Sequence, residues 1–188
     1  AAHSLRDLAA YRYSQVGLRG SGDPQGIAAL EAGRGFFDVL HQPPMMGRLF
    51  SPQEYQPGDH RVAVITDALW RREFGGETGV LGKEIRIDGR IHTVIGVLPP
   101  DFSFLYSKTD LFLPLQLTDE QRSRRDFRGL RAIGRLNPGY SIAAADQELR
   151  AIVAKTDEVE PQAIRGWSAS VRPLEMEVCI TTTSPCHA

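Results

Sequence analysis

The stretch that most limits the fold runs from Thr66 to Val97, "TDALWRREFGGETGVLGKEIRIDGRIHTVIGV". Its glycines and Gly82-Lys83 resemble a phosphate-binding loop. That loop, however, needs G-x-x-x-x-G-K-[ST] between a strand and a helix N-terminus, where free N–H groups meet the anion. Here five residues separate Gly76 from Gly82, and Glu84 stands where a hydroxyl is required. The spacing instead predicts a short helix over 66–74 with Thr66 or Asp67 as N-cap, closed by Gly75-Gly76. After it, Ile85 and Ile87 alternate with Glu84, Arg86 and Asp88, and Asp88-Gly89 is a two-residue hairpin signal. A phosphate-using enzyme built on Gly76–Lys83 is therefore the weaker reading. It would place an anion at the negative end of a helix and against a carboxylate.

Other elements follow from local pattern. Residues 5–13 read as a short helix, and "YSQVGLRG" and "IAALEAG" as two strands joined by the turn "GSGDPQG". That run lacks the buried strand before it and the helix after it that a dinucleotide fingerprint needs. "GFFDVL" reads as a helix or turn with Phe36, Phe37 and Leu40 inward. The proline-rich 41–60 is a connection. "RVAVIT" is a buried strand, and "LFLPLQL" is a strand whose Pro114 suggests a sheet edge. "LRAIGRL" is a strand, "NPGYS" a turn, and Ser141 caps a helix with Ile142, Ala145, Leu149 and Ile152 on one face. That helix should end before Pro161, and "WSASVRPL" reads as one more strand. The sum is an α+β pattern in which a β-rich middle interrupts the frame.

Composition excludes several functions. A net charge of −1 over 188 residues argues against a dedicated nucleic-acid binder. No run approaches the roughly 18 apolar residues of a membrane span, and the N-terminus lacks signal-peptide order. A soluble chain is expected, as a soluble piece of a membrane protein would also be. The histidines His3, His41, His60, His92 and His187 fall at no metal-ligand spacing, and no G-x-S-x-G elbow occurs. We therefore expect no catalytic, cofactor or metal residues. Cys179 and Cys186 could close a small disulfide loop, in a tail, 179–188, that reads as disordered or as foreign to the fold. The basic cluster Arg122, Arg124, Arg125, Arg128, Arg131 and Arg135 surrounds Phe127 but is interrupted by Asp119, Glu120 and Asp126. Its default is a solvated loop; Arg122, Arg124, Arg125 and Arg128 are the candidates for a partner contact. A free-standing anion- or nucleic-acid-binding module using Arg122–Arg135 is the alternative reading.

Three stretches carry a family resemblance: "GFFDVLHQPPMMGRLF", "RVAVITDALWRREFGGETGVLGKEIRIDGRIHTVIGVLPPDF" and "RAIGRLNPGYSIAAADQELRAI". In this order they resemble the MacB-like periplasmic core domain of FtsX-type ABC transporter permeases, nearest in wording to the duplicated orphan permeases of soil bacteria. The resemblance covers about residues 5–175. It implies a discontinuous βαβ-type porter subdomain (1–58 and 119–178) with an inserted β-rich sabre subdomain (59–118). It also implies an extracytoplasmic, non-catalytic domain of a bacterial inner-membrane protein. Such a domain couples ATP-driven motion to export or signalling through protein contacts. The implied partners are a separate ABC ATPase, the transmembrane helices of the same transporter, a periplasmic adaptor protein, and a second copy in a full-length dimer. No cofactor is implied. Where the family usually has glycine after "FFDVL", this chain has His41.

Overall fold

A computed structural model of the protein describes residues 2–19, 25–105, 108–124, 129–159 and 168–174. Its elements are β1 (Leu5–Arg19), β2 (Gln25–Ala32), α1 (Phe36–Leu40), β3 (Met46–Gly47), β4 (Val62–Ile65), α2 (Asp67–Phe74), β5 (Glu84–Ile87), β6 (Arg90–Val97), β7 (Leu111–Pro114), α3 (Asp119–Ser123), β8 (Arg131–Leu136) and α4 (Ile142–Val159). The fold is α+β, a mixed sheet with helices.

The strands run in the order β2-β7-β4-β6-β5-β1-β8, and β2 also pairs with β1. The pairings of β1, β2, β7, β4, β6 and β5 therefore close into a ring, with β8 attached to the first part of β1 and β3 to β6. The β2–β7 and β4–β6 pairs are parallel and the other pairs antiparallel. Closure satisfies backbone groups that an open edge would leave to solvent.

Alternation along each strand sorts the apolar side chains into two cores. One draws on all six ring strands, with Val16, Ile27, Ile65, Ile87, Val94 and Leu111, so it fills the ring. Leu69 and Trp70 of α2 pack into it. The other lies on the outer face and is aromatic: Tyr11, Phe36, Phe37, Phe104 and Phe112. Its rings meet edge-on or tilted, with Phe36 4.9 Å from Phe104 and Phe37 5.4 Å from Phe112 between centroids. These are the arrangements that ring quadrupoles favour. Neighbours Val64 and Ile65, or Leu111 and Phe112, point into opposite cores.

Three local expectations are corrected. Residues 5–13 are not a helix but the first part of β1. The register slips between Arg6 and Ala9, where Asp7 has φ 51°. The extra residue of this bulge puts Arg6 and Ala9, three apart, on the same face of the strand, a step that imitates helical spacing. Second, β7 is not an edge strand, since it lies between β2 and β4. Pro114 is tolerated at its end because the Ala32 carbonyl accepts the N–H of Leu115 instead (2.9 Å). Third, residues 168–173 form no strand. The Val171 N–H donates to the Asp146 carboxylate on α4 (2.8 Å) rather than to a sheet neighbour. Trp167 lies outside the described residues.

The connection 41–60 is irregular, as its prolines require, but it is anchored. Arg48 donates two bonds to buried Glu54 (2.7 and 2.9 Å), and the Ser51 N–H adds a third. Burial alone would raise the Glu54 carboxyl; these donors outweigh it and hold the group below its ordinary value.

Candidate functional site

In the 74–90 segment the glycines serve a helix cap and a hairpin turn. Thr66 Oγ1 caps α2 by accepting the Leu69 N–H (3.2 Å), and Gly75, at φ 61°, ends the helix in the left-handed conformation. The amides of Gly75, Gly76, Glu77, Gly82 and Lys83 all donate to protein carbonyls, so these five are not free to cradle an anion. Trp70 Nε1 donates to the Glu77 carbonyl (2.8 Å), fixing the loop against the core. Lys83 Nζ pairs with the Glu77 carboxylate at 2.9 Å, and Asp88 and Gly89 turn the hairpin with φ 48° and 78°. The segment is a helix cap followed by a hairpin, as its spacing predicts.

The histidines stand apart in role. His3 donates its backbone N–H to Glu148 on α4 (2.7 Å). His41 ends α1 at φ 53°, a conformation that glycine adopts without steric cost. His60 and His92 line a cavity of about 260 Å³ with Arg61, Arg90, Glu31 and Gln116. His92 Nδ1 lies 3.1 Å from the Arg90 carbonyl. Burial, with Arg61 and Arg90 nearby, pushes its imidazole below the ordinary value. Among the described residues no group of three His, Cys, Asp or Glu side chains could hold a metal ion. His187, Cys179 and Cys186 lie outside the described residues.

The arginine cluster is divided by the fold. Arg122 is exposed on α3, its Nε donating to the Leu117 carbonyl (3.1 Å), and Arg124 is exposed just beyond. Arg125 and Arg128 lie outside the described residues. Arg131 places its guanidinium over the Tyr13 ring at 5.4 Å, a cation–π contact that engages it with β1. Arg135 projects from β8 with its Nε buried and without a hydrogen-bond partner.

A grouping the local sequence does not reveal surrounds Arg135. The β1–β8 register sets Arg6 directly opposite it. Both line a cavity of about 370 Å³ with Arg172 and with apolar side chains of α1, β8 and α4. No signal within any one segment announces this, because it depends on the register of strands far apart in sequence.

Among the described residues no helix is long and apolar enough to cross a membrane. The family model of the MacB-like periplasmic core domain matches residues 3–152. The similar solved structures include two. One is the extracellular domain of the noncanonic ABC-type transporter YknZ from Gram-positive bacteria: TM-score 0.62, 16% identity, 84% of this chain and 79% of that one. The other is the periplasmic region of MacB from Actinobacillus actinomycetemcomitans: TM-score 0.62, 15% identity, 86% and 70%. At these identities the likeness carries the fold. No curated protein matches the sequence.

Proposed function

Because the chain belongs to the family of the MacB-like periplasmic core domain of ABC transporter permeases, we propose that it acts as a non-catalytic coupling element outside the membrane. In this reading a separate ATPase drives the transmembrane helices of the same transporter. The domain passes that motion to protein partners, an adaptor or a second copy in the full-length dimer, for export or signalling. The observation that carries the proposal is the family match over residues 3–152, most of the chain.

The architecture supports it physically. Residues 1–58 and 119–178 serve as the porter-like frame and 59–118 as the sabre-like insertion; 179–188 lie outside the described residues. The ring fastens frame to insertion through β2–β7 and β1–β5 pairing. A closed, densely packed body moves as a unit, which is what transmitting displacement demands. Exposed Arg122 and Arg124, with Arg125 and Arg128, are the proposed partner contacts.

The test is a distance measurement in the intact permease with its ATPase. Spin labels at Arg122→Cys and in the membrane-spanning part, with Cys179 and Cys186 changed to serine, report their separation. A shift in the distance distribution between nucleotide-free and ATP-trapped states is expected. An identical distribution in both states would reject coupling.

A further inference from the structure

We infer that the cavity bordered by β1, β8, α1, α4 and residues 171–174 is a binding site for one anionic amphiphile, an acyl chain ending in a carboxylate. Its walls are apolar, with Val39, Leu40, Ile133, Leu136 and Ile142, while its polar lining is cationic, with Arg6, Arg135 and Arg172. Among the described residues no acidic side chain lines it.

Two observations show that, among the described residues, the cationic side is poorly counter-charged. Arg6 and Arg135 are direct cross-strand partners on an antiparallel pair, an arrangement in which like charges repel. The ion pair of Arg6 is with its neighbour Asp7, at 3.8 Å between side chains that are both about half exposed, so it is screened and weak. Arg135 Nε is buried with no hydrogen-bond partner, and a desolvated guanidinium N–H left unpaired is costly. A carboxylate in the cavity beside these guanidinium groups would supply a counter-charge and relieve the Arg6–Arg135 repulsion.

The apolar walls decide between anions. Inorganic phosphate or acetate would satisfy the arginines but leave the walls uncovered; an acyl chain covers them and gains the burial of its methylenes. The volume, about 370 Å³, falls at the small end of the roughly 300–1,000 Å³ typical of ligand pockets, which suits a single short chain. The inference does not depend on the transport reading, because the cavity belongs to this chain alone.

The experiment is calorimetric titration of the chain with sodium decanoate below its aggregation concentration, in parallel with 1-decanol, acetate and inorganic phosphate. Saturable binding of one decanoate per chain is expected, with decanol, acetate and phosphate each weaker by roughly tenfold or more. Arg135→Met should weaken decanoate by roughly ten- to a hundredfold while leaving decanol unchanged. If that variant does not fold, Arg6→Met at the more exposed rim and the decanoate–decanol ratio of the unaltered chain decide the matter. Equal affinity for decanol would show that the arginines are not read, and equal affinity for acetate that the walls are not; either overturns the inference. So does the absence of saturable binding. Cosedimentation with phosphatidylglycerol vesicles without decanoate uptake, or a dimer that decanoate cannot open, would reassign the face to a membrane or to a second copy.

Discussion

Glu148 and Ser4 join the two ends of the described fold. The Glu148 carboxylate on α4 accepts the Ser4 N–H (2.8 Å) and the Ser4 hydroxyl, and also the His3 N–H (2.7 Å), across 144 residues. Ser4 is fully buried, so these bonds satisfy polar groups that would otherwise be stranded at the entry of β1. The bonds from the Ser4 hydroxyl, the His3 N–H and the Ser4 N–H hold the carboxyl at about 2, against an ordinary 4.5.

A pH dependence follows. The folded value lies below the unfolded one, so the contribution is complete above about 4.5 and is lost as pH falls through about 2. Glu148→Gln should lower the melting temperature at pH 7 by roughly 2–6 °C and flatten its decline in acid. Thermal melts of both proteins between pH 2 and 7 check this; parallel curves would refute it.

Phe36 touches the rings of Tyr11, Phe37, Phe104 and Phe112 and is fully buried. Phe36→Ala should cost about 3–5 kcal/mol in urea unfolding, and Phe36→Leu distinctly less because less cavity is left. A loss under about 1 kcal/mol for the alanine would mean the outer core collapses around the gap.

Gly47 and Gly96 face each other where β3 crosses β6. A Cβ at Gly47 would lie 2.2 Å from the Ile95 carbonyl oxygen, and one at Gly96 2.4 Å from that of Arg48. Gly47 also has φ 74°. Alanine at either position should destabilise by more than about 2 kcal/mol, because the obstacle is backbone. Near-normal stability of Gly96→Ala would contradict the close strand approach.

His41 invites the opposite experiment. Its left-handed conformation costs a side-chain-bearing residue about 1–2 kcal/mol, and glycine returns part of that as unfolded-chain entropy. His41→Gly should therefore stabilise the chain by about 0.5–1 kcal/mol in urea unfolding. Destabilisation would show that the imidazole makes a compensating contact.

Lys83→Ala separates scaffold from nucleotide site. Its ion pair with Glu77 is exposed, so the melting temperature should move by less than about 2 °C. Neither the variant nor the unaltered chain should bind ATP in equilibrium dialysis. ATP binding that the substitution abolishes would revive the enzyme reading.

Much of this was legible where structure is local. The Thr66 cap, the Gly75 terminus, the Asp88-Gly89 turn and the Ser141 cap of α4, whose hydroxyl accepts the Ala144 N–H (3.1 Å), depend on a few neighbouring residues. So did the weaker standing of a phosphate loop, since helix, cap and hairpin engage the amides of Gly75, Gly76, Glu77, Gly82 and Lys83. The start of β1 was not legible, because a bulge at Asp7 rewrites the side-chain period. Pro114 misled for a related reason: a proline removes one donor, and whether that matters depends on which carbonyl is opposite.

By itself, then, the sequence determined the local elements and, through three ordered motifs, the family, because turn chemistry and alternation act over a handful of residues. Tertiary structure alone decided that β1 and β5 meet to close the ring, with Leu18 beside Ile87. It alone brought Arg135 against Arg6. Register between distant strands is set by which apolar faces bury together, and only the assembled core makes that choice.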